Sequence, residues 1–318
     1  MALTESWGIP VVELAGPLLV GFLLHWGLFG TLTIQLYLYY EAFPADPLFH
    51  KCLVYTLYAL ELVQTILITH DAFALFAFGF GDPEGLMTIH LAWLTIPVMS
   101  GLVALISQSF YSYRLWVLSD SPAMPVLIVV VALASSVGAF LVGALSHIAG
   151  NIPIRHSKAN AVASGIWLGG AALADILIAV SLTFYLWKTD SRFRQTRALI
   201  SRLIRITIET GSLTAVVALV NAAMIYAFPG KPYFFTAGAV VPKLYSNTIL
   251  AVLNSRFRIV GGRGDSSQGM FSLESHIHTG TVRTGIPTQV AITREVYSSS
   301  DKDDGFSVEL KDGSEPCR

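Results

Sequence analysis

The feature that most constrains this chain is a series of long apolar runs. Seven windows of roughly twenty or more residues, at about 14–38, 52–76, 88–111, 124–146, 161–187, 204–228 and 233–253, are each long enough to cross ~30 Å of hydrocarbon as a helix. The segments between them, EAFPADP, GFGDPEG, SDSPAMP, GNIPIRHSK and FPGKP, supply the Pro, Gly and Asp that suit chain reversal. Only 13% of the 318 residues are charged and 53% are hydrophobic, which fits a chain whose solvent is largely lipid. The expectation is an all-α membrane protein: a seven-transmembrane helix bundle at 14–254, preceded by a short N-terminus at 1–13.

Charge placement gives an orientation, because Lys and Arg in short loops stay cytoplasmic during insertion. With the N-terminus outside, Lys51, Arg114, Lys188, Arg192, Arg194, Arg197, Arg202, Arg205, Arg256, Arg258 and Arg263 fall inside. Arg155, Lys158 and Lys231 fall outside. Eleven against three predicts N-out, C-in. The first apolar run is too long for a cleaved signal and follows two acids with no Lys or Arg, as a retained first helix would. The basic loop with Lys188, Arg192, Arg194, Arg197, Arg202 and Arg205 is a topology determinant, with anionic lipid or a cytoplasmic protein as its candidate partners. Tyr39, Tyr40, Tyr111, Tyr113, Trp116 and Trp187 lie near expected helix ends, where aromatic rings anchor at the interface.

From 255 onward the composition turns to Gly, Ser, Thr, Asp and Lys, too polar to bury a core, so 255–318 is expected to be a disordered cytoplasmic tail. Its acid-flanked Ser298, Ser299 and Ser300 are candidate phosphorylation sites beside Asp301, Asp303 and Asp304. Cys52 and Cys317 both fall on the reducing side and do not suggest a disulfide; Cys52 reads as a small buried thiol.

Ionised groups at mid-membrane cost at least ~2.5–3.5 kcal/mol on insertion scales, so each one needs a partner, water or a role. Glu61, Asp175 and Lys243 fall at similar depth, which predicts a buried ion pair between Lys243 and either acid, or a ligand site. On the last span Lys243, Asn247, Leu250 and Asn254 share a stripe about 40° wide that should face protein. Pro242 beside it permits a kink. On the second span Glu61, Gln64 and Asp71 share a wedge of about 80°, while His70 points elsewhere and diverges from Asp71. Ala161, Gly165 and Gly169 have the spacing of a close-packing stripe on the fifth span.

A lysine midway along a seventh helix invites comparison with rhodopsins, in which such a lysine carries retinal. Microbial rhodopsins also place an acid on the third helix, where this chain offers only His90 and Gln108, so no retinal and no other cofactor is expected. No HExxH or paired CxxC spacing indicates a metal, and no phosphate loop, nucleophile elbow or nucleic-acid patch indicates an enzyme or a nucleic-acid binder.

ALADILIA, YLWK, LISRLIRITIETG, LTA and PKLYSNTILAVLNSR, between Trp167 and Arg256, stand in an order that is informative. Upstream come ALELVQT with Glu61, then His70, the FGDP turn, and SQSFYSYRLWVLS with Gln108, Phe110, Arg114 and Trp116. Over roughly 14–256 this set resembles a large family of seven-helix proteins from mushroom-forming fungi whose shared region is known only as a domain of unknown function. The resemblance implies seven spans and a fungal source, and draws attention to Asp175, Thr210, Gly211, Lys243, Tyr245, Asn247, Asn254 and Arg256. It carries no biochemical activity. The leading functional expectation is a receptor-like or sensory membrane protein, with a small-solute or proton-coupled transporter or channel, or a membrane-organising scaffold, as alternatives.

Overall fold

The computed structural model describes residues 11–80, 82, 85, 88, 90–119, 121–150, 158–190, 212–214, 216–228 and 233–256, with side chains described to 185 in the fifth helix. Six long helices and one shorter one run through these residues, all within one compact unit, Met1–Phe257. They are α1 (Val11–Ala42), α2 (Leu48–Phe73, continued as a π-helical turn at Ala74–Phe78), α3 (Met99–Ser119, entered through a π-turn at Leu94–Val98), α4 (Ala123–Ala149), α5 (Lys158–Asp190), α6 (Ser212–Ala227) and α7 (Tyr233–Asn254). No long strand occurs among the described residues. Five helices, α1 to α5, are long and apolar enough to cross a membrane, as expected of a multi-pass membrane protein.

The third span begins later than its hydropathy suggests. Thr88 and His90 precede the helix, and the backbone N–H of Leu91 donates to both carboxylate oxygens of Asp71 at 3.2 and 3.1 Å. An acid at the end of α2 thus takes up a donor that the start of the next helix would leave free. The π-turn that follows contains Pro97, which lacks the N–H needed to continue an ordinary ladder.

Side-chain contacts fix the direction of each helix. Ser136 donates to the Gly101 carbonyl and Ser112 to the Pro125 carbonyl, so α3 and α4 are antiparallel. Tyr58 meets Thr33 while Thr65 meets His25, which makes α1 and α2 antiparallel. Tyr226 donates to Ala161 and Thr214 bonds Asp175, giving the same relation for α5 and α6. By contrast α7 runs parallel to α1. Thr236 donates to the Pro17 carbonyl at 2.6 Å, Asn247 to Leu28 at 3.2 Å and Asn254 to Gln35 at 2.8 Å, each pair separated by 219 residues.

Two apolar clusters fill the interior. Phe29, Leu57, Val103, Leu115, Ile128, Leu182 and Ile249 belong to one, and Phe22, Ile68, Ile96, Val142, Trp167 and Phe235 to the other. Glycines admit the tightest contacts. A Cβ at Gly138 would stand 2.8 Å from the Trp167 backbone nitrogen, and one at Gly170 would stand 2.9 Å from Ser135 Cβ. This corrects the expected stripe at Ala161, Gly165 and Gly169. A Cβ at Gly169 would meet nothing within 4 Å and one at Gly165 only the Tyr226 hydroxyl, because the surface of α5 that meets α4 runs through Gly170 instead.

Three other expectations are revised. Tyr39 and Tyr111 are buried against protein rather than presented on the outer surface, since Tyr39 turns inward to donate to Asp46 and Tyr111 packs into the first cluster. Tyr40, Tyr113 and Trp116 are exposed. Cys52 is exposed, not a buried thiol, because it lies on the outer side of α2. The side chains of Trp187 and of the basic loop from Lys188 to Arg205, together with Thr210, Gly211, Cys317 and the tail with Ser298, Ser299 and Ser300, lie outside what the structure describes.

Candidate functional site

Glu61, on α2, and Lys243, on α7, form a fully buried ion pair at mid-bundle, with Nζ 2.5 Å from Oε2 and neither side chain exposed. All three ammonium hydrogens have acceptors: Glu61 Oε2, the Glu61 carbonyl at 2.9 Å and Thr65 Oγ1 at 3.0 Å. Phe29 completes the shell, its ring centroid 5.0 Å from Nζ. The other carboxylate oxygen of Glu61 accepts from Ser246 at 2.6 Å. His25 lies behind Thr65, its Nε2 3.0 Å from Thr65 Oγ1 and its Nδ1 3.0 Å from the Ala239 carbonyl. That carbonyl lies in the turn before Pro242, where the proline removes one backbone donor. The carbonyl that Pro242 leaves without its helical donor is that of Gly238, one residue earlier, and His25 ties α1 to the adjoining Ala239 carbonyl of α7.

Such an arrangement is costly to assemble and costly to break. Ions taken from water lose several kcal/mol each, and attraction in a low-dielectric interior offsets this only when the remaining donors and acceptors are also met. Here they are.

The second acid does not join the pair. Asp175, on α5, is 4% exposed and faces α3, α6 and α7. Its Oδ2 accepts from the Tyr245 hydroxyl at 2.7 Å and its Oδ1 from Gln108 Nε2 at 2.9 Å, while Thr214 adds a further hydrogen bond. Gln108 also donates to the Ala171 carbonyl at 3.3 Å. Among the described residues, the partners of this carboxylate are neutral. Lys243 and Tyr245 are two residues apart and so project about 160° apart around α7, which directs one to α2 and the other to α5.

The remaining candidates are structural ties. Asn247 donates to the carbonyls of Leu28 and Lys243 and accepts from Thr31 at 2.9 Å, and Asn254 donates to Gln35. From Asn247 to Asn254 the α7 stripe therefore faces α1, while Lys243 reaches α2. Gln64 donates to the Thr95 carbonyl at 2.7 Å, inside the π-turn. His70 and Asp71, expected to diverge, approach to 3.4 Å. His70 reaches along the helix to its neighbour's carboxylate while most of its ring stays exposed. No group of three His, Cys, Asp or Glu side chains that could hold a metal ion occurs among the described residues.

At one end of the bundle Arg256, just past α7, pairs with Asp46 of the α1–α2 turn at 2.5 Å. The guanidinium lies 4.5 Å from the Phe43 ring centroid, and Tyr39 donates to the same carboxylate at 2.9 Å. Partial burial disfavours the charged form of Asp46. The hydrogen bonds and charge of Arg256, with the Tyr39 hydroxyl, outweigh that and hold its carboxyl below the ordinary range.

Residues 171–258 match the Family of unknown function (DUF6534). The DUF6534 region contains Asp175, Thr214, Lys243, Tyr245, Ser246, Asn247, Asn254 and Arg256, whereas Glu61, Gln108 and His25 lie upstream of it. Its side of both polar clusters is thus completed by helices outside the matched region. No curated protein and no solved structure matches the chain.

Sequence reasoning missed His25, Thr65, Ser246 and Thr214 as site residues. Single hydroxyls and a lone histidine in apolar runs carry no pattern of their own. Ser246, three residues after Lys243, and Thr65, four after Glu61, could have been found as helical neighbours of the two charges.

Proposed function

We propose that this protein is a seven-crossing, receptor-like membrane protein, N-terminus outside and C-terminus inside, that transmits a change at α5 and α6 to its cytoplasmic side. The observation that carries this reading is the dryness of the Glu61–Lys243 pair, in which neither side chain is exposed and all three ammonium hydrogens are bonded. A solute or proton pathway through these residues would require water or open coordination sites beside them. The pair instead supports a fixed frame of α1, α2 and α7, against which the helices at Asp175 can shift. Opposed neighbouring helices and the parallel α1 and α7 support seven crossings. The excess of Lys and Arg on one set of loops supports the orientation.

A membrane-organising scaffold is the second reading, favoured by the internal bonding of the α7 polar stripe. Retinal attachment at Lys243 is disfavoured because a protonated Schiff base has a single N–H and would forfeit two of the three bonds to Glu61 and Thr65.

Two measurements test the proposal. Membrane-impermeant labelling of single cysteines should reach position 5 from outside and positions 192 and 260 only after permeabilisation. Proteoliposomes loaded with a pH-sensitive dye should show no protein-dependent flux. The reverse labelling pattern refutes the orientation, and a flux abolished by Lys243→Ala refutes the receptor-like reading in favour of transport.

A further inference from the structure

Asp175 and Glu61 are both buried mid-bundle acids, yet their partners differ in kind. The Lys243 ammonium offers Glu61 only donors, so Oε2 serves there as an acceptor. The Oδ2 atom of Asp175 faces a phenol, and Thr214 adds a second hydroxyl to the carboxyl group. A hydroxyl donates to a carboxylate or, after rotation about its C–O bond, accepts from a carboxylic acid. The amide of Gln108 can keep donating to Oδ1, which serves as the carbonyl oxygen of the protonated form.

Among the described residues, the groups facing Asp175 do not lock its charge. On α3 they are Gln108 and Tyr111, on α6 Thr214, and on α7 Tyr245. The only titratable side chain of α4 is His147, at the far end of the bundle against Trp93, and Lys243 of α7 is committed to Glu61. The buried hydroxyls of Ser107 and Tyr111, one residue before and three after Gln108, have no hydrogen-bond partner among the described residues. They add O–H groups beside the cluster on α3.

We infer that Asp175 is a proton-binding site, with the proton as the ligand that moves α5. Uptake converts the carboxylate to a carboxylic acid: the proton bonds to Oδ2 and is donated onward to the oxygen of Tyr245, and no other bond is made or broken. The local charge falls by one. The donation from Gln108 then ceases to be charge-assisted and loses about half its strength, and the bond to Tyr245 reverses direction and loses its charge assistance too, which loosens α5 against α3 and α7. This deepens the receptor-like reading and rests on it for the consequence of binding, not for binding itself.

The test is infrared difference spectroscopy of the full chain in nanodiscs across a pH titration, following the carbonyl stretch of protonated carboxyl groups. Wild type should gain a band as the pH falls, and Asp175→Asn should lack that component while Glu61→Gln retains it. Tyr245→Phe removes a hydrogen bond that favours the charged form, so its midpoint should rise by about one to two pH units. Persistence of the full band in Asp175→Asn overturns the inference. If Asp175→Asn does not fold, Tyr245→Phe decides alone: a raised midpoint supports the site and an unmoved one refutes it. Dye flux in proteoliposomes is independent of this band, so failure of the receptor-like reading and failure of the proton site are separable.

Discussion

Replacing Lys243 with Met removes the charge at nearly constant length and leaves Glu61 buried with Ser246 as its remaining side-chain donor. Breaking a buried pair by removing one partner costs about 3–5 kcal/mol, because the surviving charge is uncompensated. Removing both, as in Lys243→Met with Glu61→Met, is neutral to stabilising by about 1–4 kcal/mol in comparable cases. The double variant should therefore be more stable than Lys243→Met, with a favourable coupling of several kcal/mol. Asp175 provides the control. Its described partners are all neutral, so Lys243→Met and Asp175→Asn should combine additively within ~0.5 kcal/mol. Reversible unfolding of the purified protein in mixed micelles, read by tryptophan fluorescence, supplies the free energies. A coupling to Asp175 as large as that to Glu61, or a Glu61 double variant no better than Lys243→Met, would refute the assignment of the pair.

Asn247→Leu and Asn254→Leu should each loosen the α1–α7 seam by about 0.6–1.7 kcal/mol, the range for interhelical hydrogen bonds in membranes, measured in the same unfolding assay. Gly138→Ala should destabilise markedly, since its Cβ would meet the α5 backbone, whereas Gly169→Ala should be tolerated or mildly stabilising. For Asp46 the folded carboxyl titrates below its ordinary 3.8. Its pairing with Arg256 therefore stabilises above about that pH and is lost as the pH falls through the lower folded value. Stability against pH should lose part of its acid-side slope in Asp46→Asn, and an unchanged slope would count against the pairing.

The apolar periodicity was legible because a lipid solvent forces about twenty apolar residues into every crossing. The inward stripe of α7 was legible as well, since helix geometry places Lys243, Asn247 and Asn254 on one face. Which acid meets Lys243 was not. Depth along a helix can be counted from its ends, but the rotation of α2 and α5 toward α7 is set by packing, such as Gly170 against Ser135, which has no one-dimensional signature. The late start of α3 depended on a contact twenty residues away, between Asp71 and Leu91. The burial of Tyr39 likewise followed from Asp46 and Arg256 arriving beside it.

A fixed frame of α1, α2 and α7 requires that the Glu61–Lys243 pair be closed to solvent. Reaction of the folded protein in nanodiscs with a small, membrane-permeant amine reagent, followed by peptide mass spectrometry, measures this directly. Lys158, which is exposed, should be modified readily, and Lys243 only after unfolding. Modification of Lys243 in the folded protein at a rate comparable to Lys158 would show an open, hydrated site and contradict the fixed frame on which the receptor-like reading stands.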